Sequence, residues 1–155
     1  MLTRNSRLLL GLTVATPLLF AACTDNNIFG PGDAAGQYTL TVYADVQIPP
    51  AFQFHSNPGD DSELPNGGTV IVNSGTLVLN TDGTFVETDN FTKIPPSGQS
   101  FNSSFVSAGT FTVSGTSINL FAPQQNGFAP RNINGTLNLG TVSYVEGGVS
   151  YEYQR

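Results

Sequence analysis

Side chains able to do chemistry are sparse in this chain, and their spacing decides what they can do. His55 is the sole histidine, so neither a histidine cluster for zinc nor a Ser-His-Asp relay can be assembled around it. It reads as a loop histidine in a solvated segment. Asp60, Asp61 and Glu63 could offer oxygens to a calcium ion, but their spacing matches no EF-hand loop. Tyr144, Tyr151 and Tyr153 fall at alternate strand positions, the pattern of a packed wall rather than a stacking platform. Asn90-Phe91-Thr92, Asn102-Ser103-Ser104 and Asn134-Gly135-Thr136 fit the N-glycosylation acceptor pattern. These residues assign no catalytic group and no metal ligand, and the expectation is a protein without a cofactor that is not an enzyme.

The elements around these residues read as strands. Ser74 to Thr88 carries two apolar-alternating arms around Asp82-Gly83, a strong local signal for a β-hairpin. Leu77 and Leu79 fall on one face, Val78 and Asn80 on the other. Gln37 to Val46 alternates as one long strand, with Tyr38, Leu40, Val42, Ala44 and Val46 on its core face and Tyr43 on the polar face. Pro49-Pro50 ends it. Ala51 to Gly68 reads as the longest irregular segment, and loops of that length tend to be functional lids or disordered. Phe52 and Phe54 within it are candidates for a ligand lid. The competing reading leaves them as aromatics laid on an outer wall.

Downstream, Thr69 to Val72 reads as a short strand and Ser100 to Val106 as a weak one. Gly109 to Val113 and Ser117 to Phe121 flank Ser114-Gly115-Thr116 as a second hairpin. A loop is expected from Ala122 to Arg131 and a strand from Ile133 to Leu139. Val142 to Val145 and Val149 to Tyr153 pair across Glu146-Gly147-Gly148. Gly75-Thr76, Gly109-Thr110 and Gly135-Thr136 each precede an apolar, variable, apolar triplet, and each glycine is expected to permit a turn or bulge. The whole predicts an all-β chain of about 8–10 strands, an antiparallel meander closed into a small barrel. A sandwich is the alternative closure.

Arg4 and Arg7 precede an uncharged apolar run, Leu8 to Phe20, that ends in Ala21-Ala22-Cys23. A basic start, a short apolar stretch and small residues make a secretory signal peptide rather than a spanning helix. Phe20-Ala21-Ala22-Cys23 resembles the lipobox of bacterial lipoproteins. That resemblance implies a signal peptide over 1–22 and an acylated Cys23. It also implies anchorage in the bacterial cell envelope, with Thr24 pointing to the outer membrane. An ordinary secreted protein cut near the same place is the alternative. Cys23 is the only cysteine, so it has no intramolecular disulfide partner. Residues 23–35 read as a flexible tether and residues 36–155 as one domain. Beyond residue 22, three basic residues stand against eleven acidic ones, which argues against nucleic acid as a partner.

The opening Gly36-x-Tyr38-x-Leu40, the block from Ser74 to Phe85, Gly109-Thr110-Phe111 and the tyrosine-rich closing strand together resemble small bacterial lipocalin-like lipoproteins. That resemblance implies a barrel that holds a small apolar ligand or lipid. The inward residues Leu77, Leu79, Phe85, Phe111, Val113, Ile118, Leu120, Tyr151 and Tyr153 are mostly large. They favour a barrel filled by its own side chains, with a structural or protein-interaction role. An eight-stranded barrel is wide enough for either outcome. The sequence names no protein partner beyond the membrane.

Overall fold

In the structure, a computed structural model, residues 30–125 and 129–155 are described. The expected signal peptide and Cys23 lie outside them. Ten strands follow a single turn of helix, α1 (Pro31–Ala34): β1 (Gly36–Tyr43), β2 (Val46–Gln47), β3 (Phe52–Ser56), β4 (Gly68–Leu79), β5 (Thr84–Ile94), β6 (Phe101–Ser114), β7 (Ser117–Ala122), β8 (Arg131–Asn138), β9 (Thr141–Glu146) and β10 (Val149–Gln154). From β4 to β10 each strand pairs antiparallel with the next, and β1 closes the ring by pairing with both β10 and β4. The closed barrel therefore has eight strands, β1 and β4–β10, in a lipocalin-like arrangement. The barrel, not the sandwich, is the closure.

The central hairpin forms as its alternation dictates. Leu79 faces Phe85 across a four-residue loop in which Gly83 takes φ +82°, a conformation that glycine adopts without strain. Asp82 accepts hydrogen bonds from the Thr84 amide (3.0 Å) and hydroxyl (2.7 Å). These bonds hold its carboxyl below the usual carboxylate range.

Two bulges reset the alternation. Leu40 pairs with Tyr153 and Val42 with Glu152, so Thr41 is an extra residue in β1. One inserted residue flips every later side chain, which turns Tyr43 inward instead of Val42. The expected single strand to Val46 is therefore corrected. It breaks at Ala44-Asp45, both at positive φ, and Val46 is exposed on β2. In β4, Asn73 is the extra residue between Val72 and Ser74. Val70 and Val72 face inward before it, and Gly75, Leu77 and Leu79 after it.

Four further expectations change. The segment after Pro50 is not irregular throughout, because Phe52–Ser56 forms β3 against Gly68–Val72 of β4. The weak strand from Ser100 and the strand at Gly109 are one 14-residue strand, β6. Arg131 opens β8 rather than closing a loop, and Leu139 stands in the following turn, 99% exposed. The tether expected through Ala35 also gives way to α1. Ala34 is fully buried, and its carbonyl accepts the Tyr38 hydroxyl at 2.6 Å.

Gly75, Gly109 and Gly135 lie inside strands, not before them. A methyl group at Gly109 would meet the Phe121 carbonyl oxygen at 2.0 Å, and one at Gly135 the Ser143 carbonyl oxygen at 2.6 Å. Glycine at such points lets a barrel wall bend sharply or another chain segment approach. At Gly75 the space goes to Asp89 and Leu40, whose atoms would lie 2.4 and 2.9 Å from an added carbon.

The core fills the end of the barrel where β4 turns into β5. Tyr38, Leu40, Leu77, Leu79, Phe85, Phe111, Ile118, Leu120, Leu137 and Val142 are buried there. Towards the other end the interior changes character.

Candidate functional site

Alternation along β5 builds the site. Counting inward positions from Phe85 gives Glu87, Asp89, Phe91 and Lys93, so the strand that starts apolar at the filled end becomes charged towards the mouth. Glu87 is wholly buried and Asp89 is 4% exposed. β8 contributes Arg131, β9 Tyr144 and Glu146, and β10 Tyr151 and Tyr153, through the same period of two.

Burying charge is costly unless partners replace the lost water, and here Glu87, Arg131 and Glu146 answer one another. The Arg131 guanidinium donates to Glu87 Oε2 at 2.8 Å and, through Nε, to Glu146 Oε1 at 2.8 Å. A further nitrogen reaches the second oxygen of Glu146, a bidentate pair. The guanidinium also lies 5.0 Å from the centre of the Phe105 ring. Burial opposes its charge, but the two carboxylates outweigh burial and hold its proton more tightly than usual. Glu87 Oε1 accepts the Tyr144 hydroxyl and lies 3.0 Å from the Tyr153 hydroxyl. Burial first, then the nearby Glu87 carboxylate, push both tyrosines well above the ordinary phenol range.

Asp89 sits beside this network. Its Oδ1 is 3.1 Å from the same Tyr153 hydroxyl. That hydroxyl has one proton to give and two carboxylates to serve. Desolvation, then repulsion from Glu87, raise the Asp89 carboxyl to about 7, so it holds or releases a proton near neutrality.

Above this floor opens a cavity of about 750 Å³. Its wall carries Tyr43, Phe54, Phe91, Phe105 and Tyr151, and its rim carries Asp60–Glu63, Lys93 and Ser103. Lys93 is clamped by Asp61 (2.7 Å) and Glu63 (2.6 Å), and Glu63 also accepts the Ser103 hydroxyl. Burial works against the Lys93 charge, and the two carboxylates more than restore it. The acidic loop from Asp60 to Glu63 therefore binds a lysine of its own chain. Among the described residues no group of three or more His, Cys, Asp or Glu is arranged to hold a metal ion.

The lid candidates are seated on β3, with Phe52 opposite Val72 and Phe54 opposite Val70. Both are half-buried. They pack with Tyr43, whose ring lies 5.7 Å from Phe52 and 6.2 Å from Phe54. Phe54 lines the cavity. His55 is exposed, as expected, but it stands on strand β3 with its side chain outward, not in a loop. Tyr144 and Tyr151 stack at 4.9 Å on the interior face.

Glu87, Asp89, Lys93, Arg131 and Glu146 were not among the residues singled out by sequence. The signal that finds Glu87, Asp89 and Lys93 is the strict alternation from Phe85 to Lys93, read without the assumption that charges point to solvent. The chain matches no family model, no curated protein and no solved structure. The fold defines its class as a lipocalin-like antiparallel barrel, consistent with a structural or ligand-binding role.

Proposed function

We propose that the chain is a binding module, a lipocalin-like barrel that holds one small, largely apolar ligand or lipid in its mouth. The observation that carries this reading is the cavity of about 750 Å³, walled by aromatic rings above a buried polar network. Small-molecule sites share such apolar walls, with placed polar groups that fix the ligand's orientation. Phe52 and Phe54 serve as the lid in this reading, because they stand on a strand paired along one edge only. The filled half of the interior favours the second reading, a rigid scaffold for protein contacts at the envelope. In either case the lipobox-like Cys23 supplies a lipid anchor to the bacterial cell envelope, at the outer membrane, and the role is non-catalytic.

The test is native mass spectrometry of the chain extracted gently from its host, followed by titration with the apolar fluorophore N-phenyl-1-naphthylamine. The expected result is one bound amphiphile per chain, or saturable one-to-one fluorophore binding weakened by Phe54→Ser. An empty protein that leaves the fluorophore dark would remove the binding-module reading and leave the scaffold. Radiolabelled palmitate incorporation, lost in Cys23→Ser, checks the anchor separately.

A further inference from the structure

The mouth cavity has a polarity that an apolar ligand alone would not need. Five carboxylates and two cations line it. Both cations are committed: Arg131 to Glu87 and Glu146, and Lys93 to Asp61 and Glu63. An anionic headgroup would thus meet no free positive partner among the described residues. Asp89 is different. Its Oδ1 meets Tyr153, and among the described residues Oδ2 has no hydrogen-bond partner. No wholly buried side-chain oxygen among the described residues lacks a partner, so Oδ2 is reached from the cavity that Asp89 lines. A carboxylate 96% covered by protein, with one oxygen left open at the floor of an aromatic pocket, is built to receive a donor.

From this geometry we infer that the ligand is a cationic amphiphile, whose protonated amine sits on Asp89 Oδ2 while its apolar body lies along Tyr43, Phe54, Phe91, Phe105 and Tyr151. This rests on the binding-module reading and specifies its ligand class. Apolar area then supplies affinity, and Asp89 supplies discrimination between headgroups.

Binding of the amine competes with the proton that Asp89 holds near neutrality. The groups facing Asp89 are Glu87 and Lys93 on its own strand, Tyr43 from β1, and Arg131 from β8. Tyr144 and Glu146 face it from β9, and Tyr151 and Tyr153 from β10. β4 presents Gly75 there. The four tyrosines, Lys93 and Arg131 keep their protons through neutrality, because their own surroundings raise them. Amine affinity therefore rises as Asp89 ionises.

The experiment is displacement of N-phenyl-1-naphthylamine from the full chain by decylamine, 1-decanol and decanoate, at pH 5.5 and pH 8.5. At the higher pH decylamine should displace at a concentration lower than decanol by about tenfold or more, the scale of a hydrogen bond to a charged group. Decanoate should be weakest. On lowering the pH the amine advantage should shrink while decanol stays unchanged. Asp89→Asn should abolish the preference for amine, and displacement of the fluorophore by decanol in that variant shows that it is folded. Equal displacement by amine and alcohol in the native chain, or an undiminished preference in Asp89→Asn, overturns the cationic ligand but keeps the pocket. Failure of all three compounds to displace a bound fluorophore overturns the cationic ligand too. A chain that never binds the fluorophore fails earlier, at the binding-module reading itself.

Discussion

Arg131 joins a wholly buried carboxylate, Glu87, to a partly exposed one, Glu146. Removing the guanidinium would strand Glu87 without its countercharge, so Arg131→Ala should cost about 3–5 kcal/mol in urea unfolding. Combining Arg131→Met with Glu87→Gln should recover much of that loss, because a neutral amide needs no ion partner. If the double variant is as unstable as the single one, the stranded charge is not the cause. Asp89 makes a separate prediction in pH. Its folded pKa is about 7, against about 3.9 for an unfolded aspartate. Between those values the unfolded chain has already lost the proton that the folded chain still holds. The contribution of Asp89 is thus complete below pH 4, is lost as pH rises towards 7, and is level above that. The full loss is on the order of 4 kcal/mol. Subtracting the stability profile of Asp89→Asn from that of the native chain should isolate this slope, and a flat difference between pH 4 and 7 would refute it.

At the scale of elements, the central hairpin was legible because Leu77, Leu79 and Phe85 alternate cleanly around a loop containing Asp82-Gly83. The charged floor was not, although Glu87 and Asp89 continue the same alternation. Composition teaches that carboxylates face water, and only a partner from a distant strand, Arg131, reverses that. Its own strand was hidden too, since Pro130 before it reads as loop. The bulges at Thr41 and Asn73 are likewise set by closure of the barrel, and no local residue pattern marks them. The recurring Gly-Thr pairs are plain in the sequence, but their glycines lie inside strands and not at turns before them. Gly109 is demanded by the backbone of Phe121, not by a turn. Gly109→Ala should therefore destabilise the fold by about 1–3 kcal/mol, as overpacking does. Gly32→Ala, with open space around it and no positive φ, should be neutral or slightly stabilising. Thermal melts of the two variants side by side decide this, and equal melting temperatures would count against the close approach at Gly109.

Across the whole molecule, the barrel is closed unequally. β1 and β4 meet only through Gly36–Thr39 and Thr76–Leu79. Beyond that seam β1 turns into β2 while β4 takes β3 as its neighbour. The wall is therefore split at the mouth, and Tyr43, Phe52, Phe54 and Tyr151 fill the split with packed rings. A strand bonded along one edge opens at lower free energy than one bonded along two. In hydrogen exchange read by mass spectrometry, amides of Phe52–Ser56 should exchange well before those of Thr76–Leu79. A ligand seated in the mouth would touch Phe54 and slow the first set without altering the second, because the filled half is already close-packed. Should β3 exchange as slowly as the seam, the aromatic rings are fixed wall and entry must pass between the loops at the rim. Slowing confined to β3 on addition of decylamine would make the split the way in.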